Sequence, residues 1–98
     1  MKKSISKESK PKKARSKFPI ERVQLGVRIE KRLAKVLKGI AECADMSLGE
    51  MIEDIVLHSF EGVSTFSDPK VRAKINELKK IYNMDYDVHA SYRFMEKA

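Results

Sequence analysis

The sequence predicts a mainly α chain: one strand and two helices that intertwine with a second copy, followed by a C-terminal helical extension. Three observations predict it. Apolar residues alternate strictly over residues 23–29, two helical stripes follow with a capping signature between them, and a narrower apolar seam lies beyond residue 68. The 98 residues leave room for one small domain with tails and none for an enzyme-sized cleft. With 36% charged and 42% hydrophobic residues, the chain is expected to fold around a modest core rather than stay disordered throughout.

The organisation predicted is a disordered basic arm over residues 1–19, a dimerising and binding domain over 20–62, and an extension over 63–98. Its first 17 residues mix Lys and Ser around one Pro and offer only Ile5 and Ala14 as groups that could be buried. The domain opens with Val23, Leu25, Val27 and Ile29 on one side of a strand and Gln24, Gly26 and Arg28 on the other. From Glu30 to about residue 44, Leu33, Val36, Leu37, Ile40, Cys43 and Ala44 fall on one face of a helix, with Lys31, Lys35, Lys38 and Glu42 opposite. Gly39 is placed toward that outer face, at a cost of about 1 kcal/mol relative to Ala.

After a turn at Asp45 and Met46, the run Ser47, Leu48, Gly49, Glu50 has the capping-box pattern and starts a second helix. Its inner stripe is Leu48, Met51, Ile52, Ile55, Val56, Ser59 and Phe60, and Gly62 is placed to end it. Asp68 and Pro69 then begin a third helix to about residue 82, with the seam Val71, Ile75, Leu78 and Tyr82. Alternation resumes from Met84 to Phe94 and predicts a short strand.

Charge is polarised along the chain. Lys2, Lys3, Lys7, Lys10, Lys12, Lys13, Arg15 and Lys17 against Glu8 account for the whole net charge of +7. Basic side chains dominate residues 20–38, and residues 39–62 carry acidic ones only. Such polarity favours an anionic partner on one face. No apolar run approaches the roughly 18 residues of a membrane span and no leader-like apolar stretch opens the chain, so the expected compartment is the cytoplasm. Cys43, the single cysteine, has no partner thiol for a disulfide or a structural zinc site, and a small buried side chain is its expected role.

One strand, a helix, a tight turn and a capped helix within residues 22–62 resemble the ribbon-helix-helix family, which includes the Arc and MetJ repressors. General physics points the same way, because a lone strand has unpaired edges and a core of one strand and two helices is small. A second copy remedies both. The resemblance implies a sequence-specific, repressor-like regulator that acts as a homodimer on double-stranded DNA, with a two-stranded ribbon in the major groove. It implies base contacts from Gln24, Gly26 and Arg28, with adenine suited to Gln24 and guanine to Arg28. Gly26 departs from the polar residue usual at the central position.

The resemblance also implies a phosphate held by the start of the second helix, at Ser47, Leu48 and Gly49. Lys31 and the arm residues Lys12, Lys13, Arg15 and Lys17 are further candidates for phosphate. Glu50 would cap the helix in its first turn. A competing class is an antitoxin-like interaction protein whose residues 63–98 bind a protein partner through Tyr82, Tyr86, Tyr92 and Phe94. His58 reads as a boundary residue. Asp85, Asp87 and His89 share a face but lack a fourth ligand, so no metal or other cofactor is assigned. No catalytic constellation is present, and no enzyme activity is expected.

Overall fold

In the computed structural model, which describes residues 17–97, an extended lead-in is followed by α1 (Lys31–Cys43), α2 (Leu48–Phe60) and α3 (Pro69–Ile81), then a 3-10 turn at Val88–Ala90. Most of the basic arm lies outside the described residues.

Each helix starts on a side-chain cap. The Glu30 carboxylate accepts the Leu33 N–H at 3.0 Å to open α1. At α2 the predicted capping box is complete: Ser47 Oγ accepts the Glu50 N–H at 3.1 Å, and the Glu50 carboxylate accepts the Ser47 N–H at 2.9 Å. Asp68 accepts the Lys70 N–H at 2.9 Å, ahead of Pro69 in the first position of α3.

The three helix ends are built alike. Asp45 (φ 58°), Gly62 (φ 73°) and Asn83 (φ 56°) stand in the left-handed region just past the caps. The next residue reaches back in each case: Met46 N–H to Ala41 O at 2.9 Å, Val63 N–H to His58 O at 3.0 Å, and Met84 N–H to Lys79 O at 2.8 Å. These are Schellman closures, which satisfy carbonyls that the helix end would otherwise orphan. Asp and Asn tolerate this backbone better than other residues with a side chain.

Helix α1 packs against both α2 and α3. Val36, Ile40 and Ala41 of α1 and Met51 of α2 are the buried core, and Leu37, Ile55, Phe66, Ile75, Leu78 and Tyr82 pack around it. Val71, Ile75, Leu78 and Tyr82, the predicted seam, are each half-buried. The stripe predicted for α2 divides instead: Met51 and Ile55 turn inward, while Leu48, Ile52, Val56 and Phe60 remain exposed. Cys43 ends α1 past this core and is exposed, not buried.

Two further expectations are corrected. The chain is all-helical: among the described residues there is no strand, so the predicted ribbon-helix-helix architecture is not the one observed. Residues 22–29 do run extended, but an extended backbone becomes a strand only when another takes up its N–H and C=O groups, and among the described residues no other backbone pairs with this one. The strand expected over residues 84–94 is also absent. There Asp87 accepts the His89 N–H at 3.0 Å to tighten the 3-10 turn, and Tyr92 at φ 68° breaks the extension again.

Gly39 has a different role from the one its sequence position implies. It faces α3, not solvent. A Cβ placed there would stand 3.0 Å from Leu78 Cδ2 and 3.2 Å from Cδ1, so Leu78 seats over the bare backbone of α1. Lys35 closes the same contact, its ammonium 5.7 Å from the centre of the Tyr82 ring.

This contact sets up a double-mutant test. Gly39→Ala should gain about 1 kcal/mol of helix propensity and lose much of it to the crowding of Leu78. In a Leu78→Ala background the same change should stabilise by the full amount, about 1 kcal/mol. Urea unfolding of the four chains checks this, and equal gains in both backgrounds would show that Leu78 does not press on Gly39.

Candidate nucleic-acid interface

The residues that the sequence assigns to DNA lie on the extended segment before α1 and at the start of α2. Val23, Leu25, Val27 and Ile29 are 82%, 77%, 69% and 50% exposed, although alternation marks them for burial. Gln24, Gly26 and Arg28 between them are exposed as well. Nothing lies within 4 Å of where a Cβ on Gly26 would be, so the chain's own packing does not require glycine there.

Two ion pairs hold this segment at its ends. Arg22 makes a forked contact to Glu53 of α2, with Nε and Nη2 each 2.9 Å from a carboxylate oxygen. The hydrogen-bonded pairing raises the Arg22 pKa and lowers that of Glu53. Arg28, near the other end, pairs with Glu96 of the C-terminal segment. Both contacts are exposed and were not foreseen, since neither acidic partner is near in sequence.

Between Arg28 and α1 lies a connected polar cluster. Glu30 accepts the Tyr86 hydroxyl at 2.6 Å while capping α1, and Arg32 Nε donates to Glu30 at 3.0 Å. Arg32 Nη1 also donates to the Asn83 carbonyl and to Asp85, each at 3.1 Å, and its guanidinium lies 5.3 Å from the centre of the Tyr86 ring. Tyr86 in turn meets Phe94 edge to face at 5.3 Å. The C-terminal segment is thereby tied to the point where the extended segment enters α1. An acidic residue just before a helical stripe was a legible capping signal, but its tyrosine partner was not.

At α2 the capping box engages the Ser47 and Glu50 amides and turns the Glu50 carboxylate toward Ser47, the role favoured for it. The amides of Leu48 and Gly49 lie in the first turn, where no helical carbonyl stands one turn back to take them. Lys31 and Lys17 are exposed; Lys12, Lys13 and Arg15 fall outside the described residues. Asp85 and Asp87 are occupied by Arg32 and by the His89 amide, and among the described residues no group of His, Cys, Asp or Glu is placed to hold a metal ion. His58 Nδ1 lies 2.7 Å from the Asp54 carbonyl, a local contact within α2.

The cluster has a pH signature. The bond from Tyr86 foremost, with those from the Leu33 amide and Arg32, pulls Glu30 down from 4.5 to about 2 against the opposing effect of burial. Burial first, then the bond to Glu30, pushes Tyr86 up from 10.0 to about 12. Glu30, with a depressed pKa, stabilises the fold fully above pH 4.5 and loses that contribution as pH falls toward 2. Tyr86, with a raised pKa, contributes fully below pH 10.0 and loses it as pH rises toward 12. Tyr86→Phe should cost about 0.5–1.5 kcal/mol at neutral pH, bring the Glu30 carboxyl titration by NMR back toward its usual range, and remove the tyrosine's alkaline loss. An unmoved Glu30 titration would break the proposed pairing.

Among the described residues no helix is long and apolar enough to cross a membrane. No family model, curated protein or solved structure matches this chain, so no comparison supports the resemblance to the ribbon-helix-helix family.

Proposed function

We propose that this chain is a cytoplasmic, sequence-specific DNA-binding regulator of the repressor type that acts as a homodimer. One observation carries the reading. An extended segment with apolar side chains at alternate positions, all at least half exposed, joins a strongly basic N-terminus to the helical body. Apolar groups so arranged call for a covering partner. In this reading a second copy covers Val23, Leu25 and Val27 together with the exposed α2 side chains Leu48, Ile52, Val56 and Phe60. Gln24 and Arg28 are then left to face base edges, with Gly26 between them allowing close approach of the backbone.

Phosphate contacts come from Lys31, from the start of α2 at Ser47, Leu48 and Gly49, and from Lys12, Lys13, Arg15 and Lys17 of the arm. The competing interaction-protein reading needs residues 63–98 to await a partner. Against it, α3 packs on α1 and Tyr86 bonds to Glu30 within the same chain. That arrangement favours a regulator whose extension belongs to its own body.

Selection of bound sequences from random duplex DNA tests the class, and a palindromic consensus is the expected result. Arg28→Ala and Gln24→Ala should each leave the helices intact and cost about 1–3 kcal/mol of discrimination at one base position per contact. Binding to selected and scrambled duplexes at matched salt measures this, and equal losses on both would reassign the residues to the backbone. Removing residues 1–17 should weaken both duplexes alike and flatten the salt dependence while the consensus stays unchanged.

Leu25→Glu separates folding from assembly. The side chain is 77% exposed in the single chain, so helical content should persist while the dimer dissociates and DNA binding fails. Sedimentation and circular dichroism report the two properties independently. A dimeric Leu25→Glu chain would place the interface elsewhere.

A further inference from the structure

We infer that the C-terminal segment is a built-in mask for the DNA-facing Arg28, with the Glu96 carboxylate occupying the guanidinium in place of nucleic acid. The inference rests on the proposed DNA-binding reading and adds a means of regulating it. The proposed reading assigns no base or phosphate contact to residues 63–98, yet the chain returns across the entrance to α1. Asp85 and the Asn83 carbonyl hold Arg32, Tyr86 bonds to Glu30, and Phe94 stacks edge to face on Tyr86. Phe94 is therefore anchored two residues before Glu96, and Glu30 two residues after Arg28. Those anchors bring a carboxylate to the one arginine among the predicted base-reading residues.

The two halves of the device differ in strength. The anchor combines a buried-leaning tyrosine bond, an arginine with three acceptors and two ring contacts. The mask is a single pair whose side chains are 85% and 70% exposed, the kind of contact that salt and competing anions displace. A strong anchor with a weak, tethered blocking group is the arrangement of a competitor that yields to the correct ligand: duplex DNA, with its dense negative charge, displaces Glu96, and the anchor returns the carboxylate to Arg28 when the duplex leaves. Phe94 and Glu96 set how much affinity is withheld.

The test uses the full chain and a duplex carrying its selected consensus. Glu96→Gln should tighten binding about two- to fivefold, the range that an exposed ion pair supports. Glu61→Gln removes the same charge from an exposed position beyond α2 and controls for net charge; it should gain less. In an Arg28→Ala background the Glu96→Gln gain should vanish. Phe94→Ala, which loosens the anchor, should reproduce the gain with no change of charge. In the free chain, the NMR signal of the Arg28 guanidinium Nε–H should shift on Glu96→Gln. Equal gains from Glu96→Gln and Glu61→Gln, a gain that persists without Arg28, or no gain from a wild-type chain that binds DNA would each overturn the mask and leave the DNA-binding reading standing. A chain that binds no duplex at any salt would overturn that reading, and the mask with it.

Discussion

Among the described residues, helix α1 supplies three of the four side chains that are almost completely buried, Val36, Ile40 and Ala41, and the fourth, Met51, comes from α2 to meet them. With so small a core, α2 and α3 have no other surface on which to pack. Interiors gain stability in proportion to the apolar area removed from water, and here the most deeply buried residues cluster on one helix, against which the apolar side chains of α2 and α3 are set. The bare backbone at Gly39 is part of the same economy of space, because it lets Leu78 and hence α3 approach closely. Anything that shortens or tilts α1 would undo both neighbouring contacts.

The entrance to α1 matters for a second reason. Glu30 caps the helix, receives the Tyr86 hydroxyl and is held by Arg32, so the helix start and the C-terminal segment are fastened by one carboxylate. The ordering of the extension and the direction in which residues 22–29 leave the body therefore depend on the same group. Paired contacts at Arg22 and Arg28 then hold the extended segment at two points, both in exposed positions where the energy per contact is small. The segment is thus lightly held.

Local signals were legible wherever the physics was local. The Ser47 to Glu50 capping box, Asp68 with Pro69, and Gly62 past the end of α2 are each decided by residues within one turn, and each is found as predicted. The α3 seam follows from spacing alone and is half-buried as its spacing requires. The strand readings fail for the opposite reason. Alternation in residues 23–29 and 84–94 describes side chains, whereas a strand is a relation between two backbones, and among the described residues neither segment pairs with a second one. At the candidate site alternation did not separate two faces within the single chain, since Val23, Leu25, Val27 and Ile29 are exposed along with Gln24, Gly26 and Arg28, and the ion-paired surroundings join residues too far apart in sequence to be legible.

By itself, then, the sequence determined where helices begin and end, which faces of α1 and α3 are apolar, and where positive charge collects, because propensity, capping and periodicity act over a few residues. Tertiary structure alone decided that Gly39 lies under Leu78, that Cys43 is exposed, that only Met51 and Ile55 of the α2 stripe are covered, and that Glu30 meets Tyr86 and Arg28 meets Glu96. Each of these joins residues far apart along the chain or depends on which side of a helix its neighbours occupy. Residue spacing fixes the angle of a side chain around its own helix axis, but it carries no information about what stands opposite until the helices have packed.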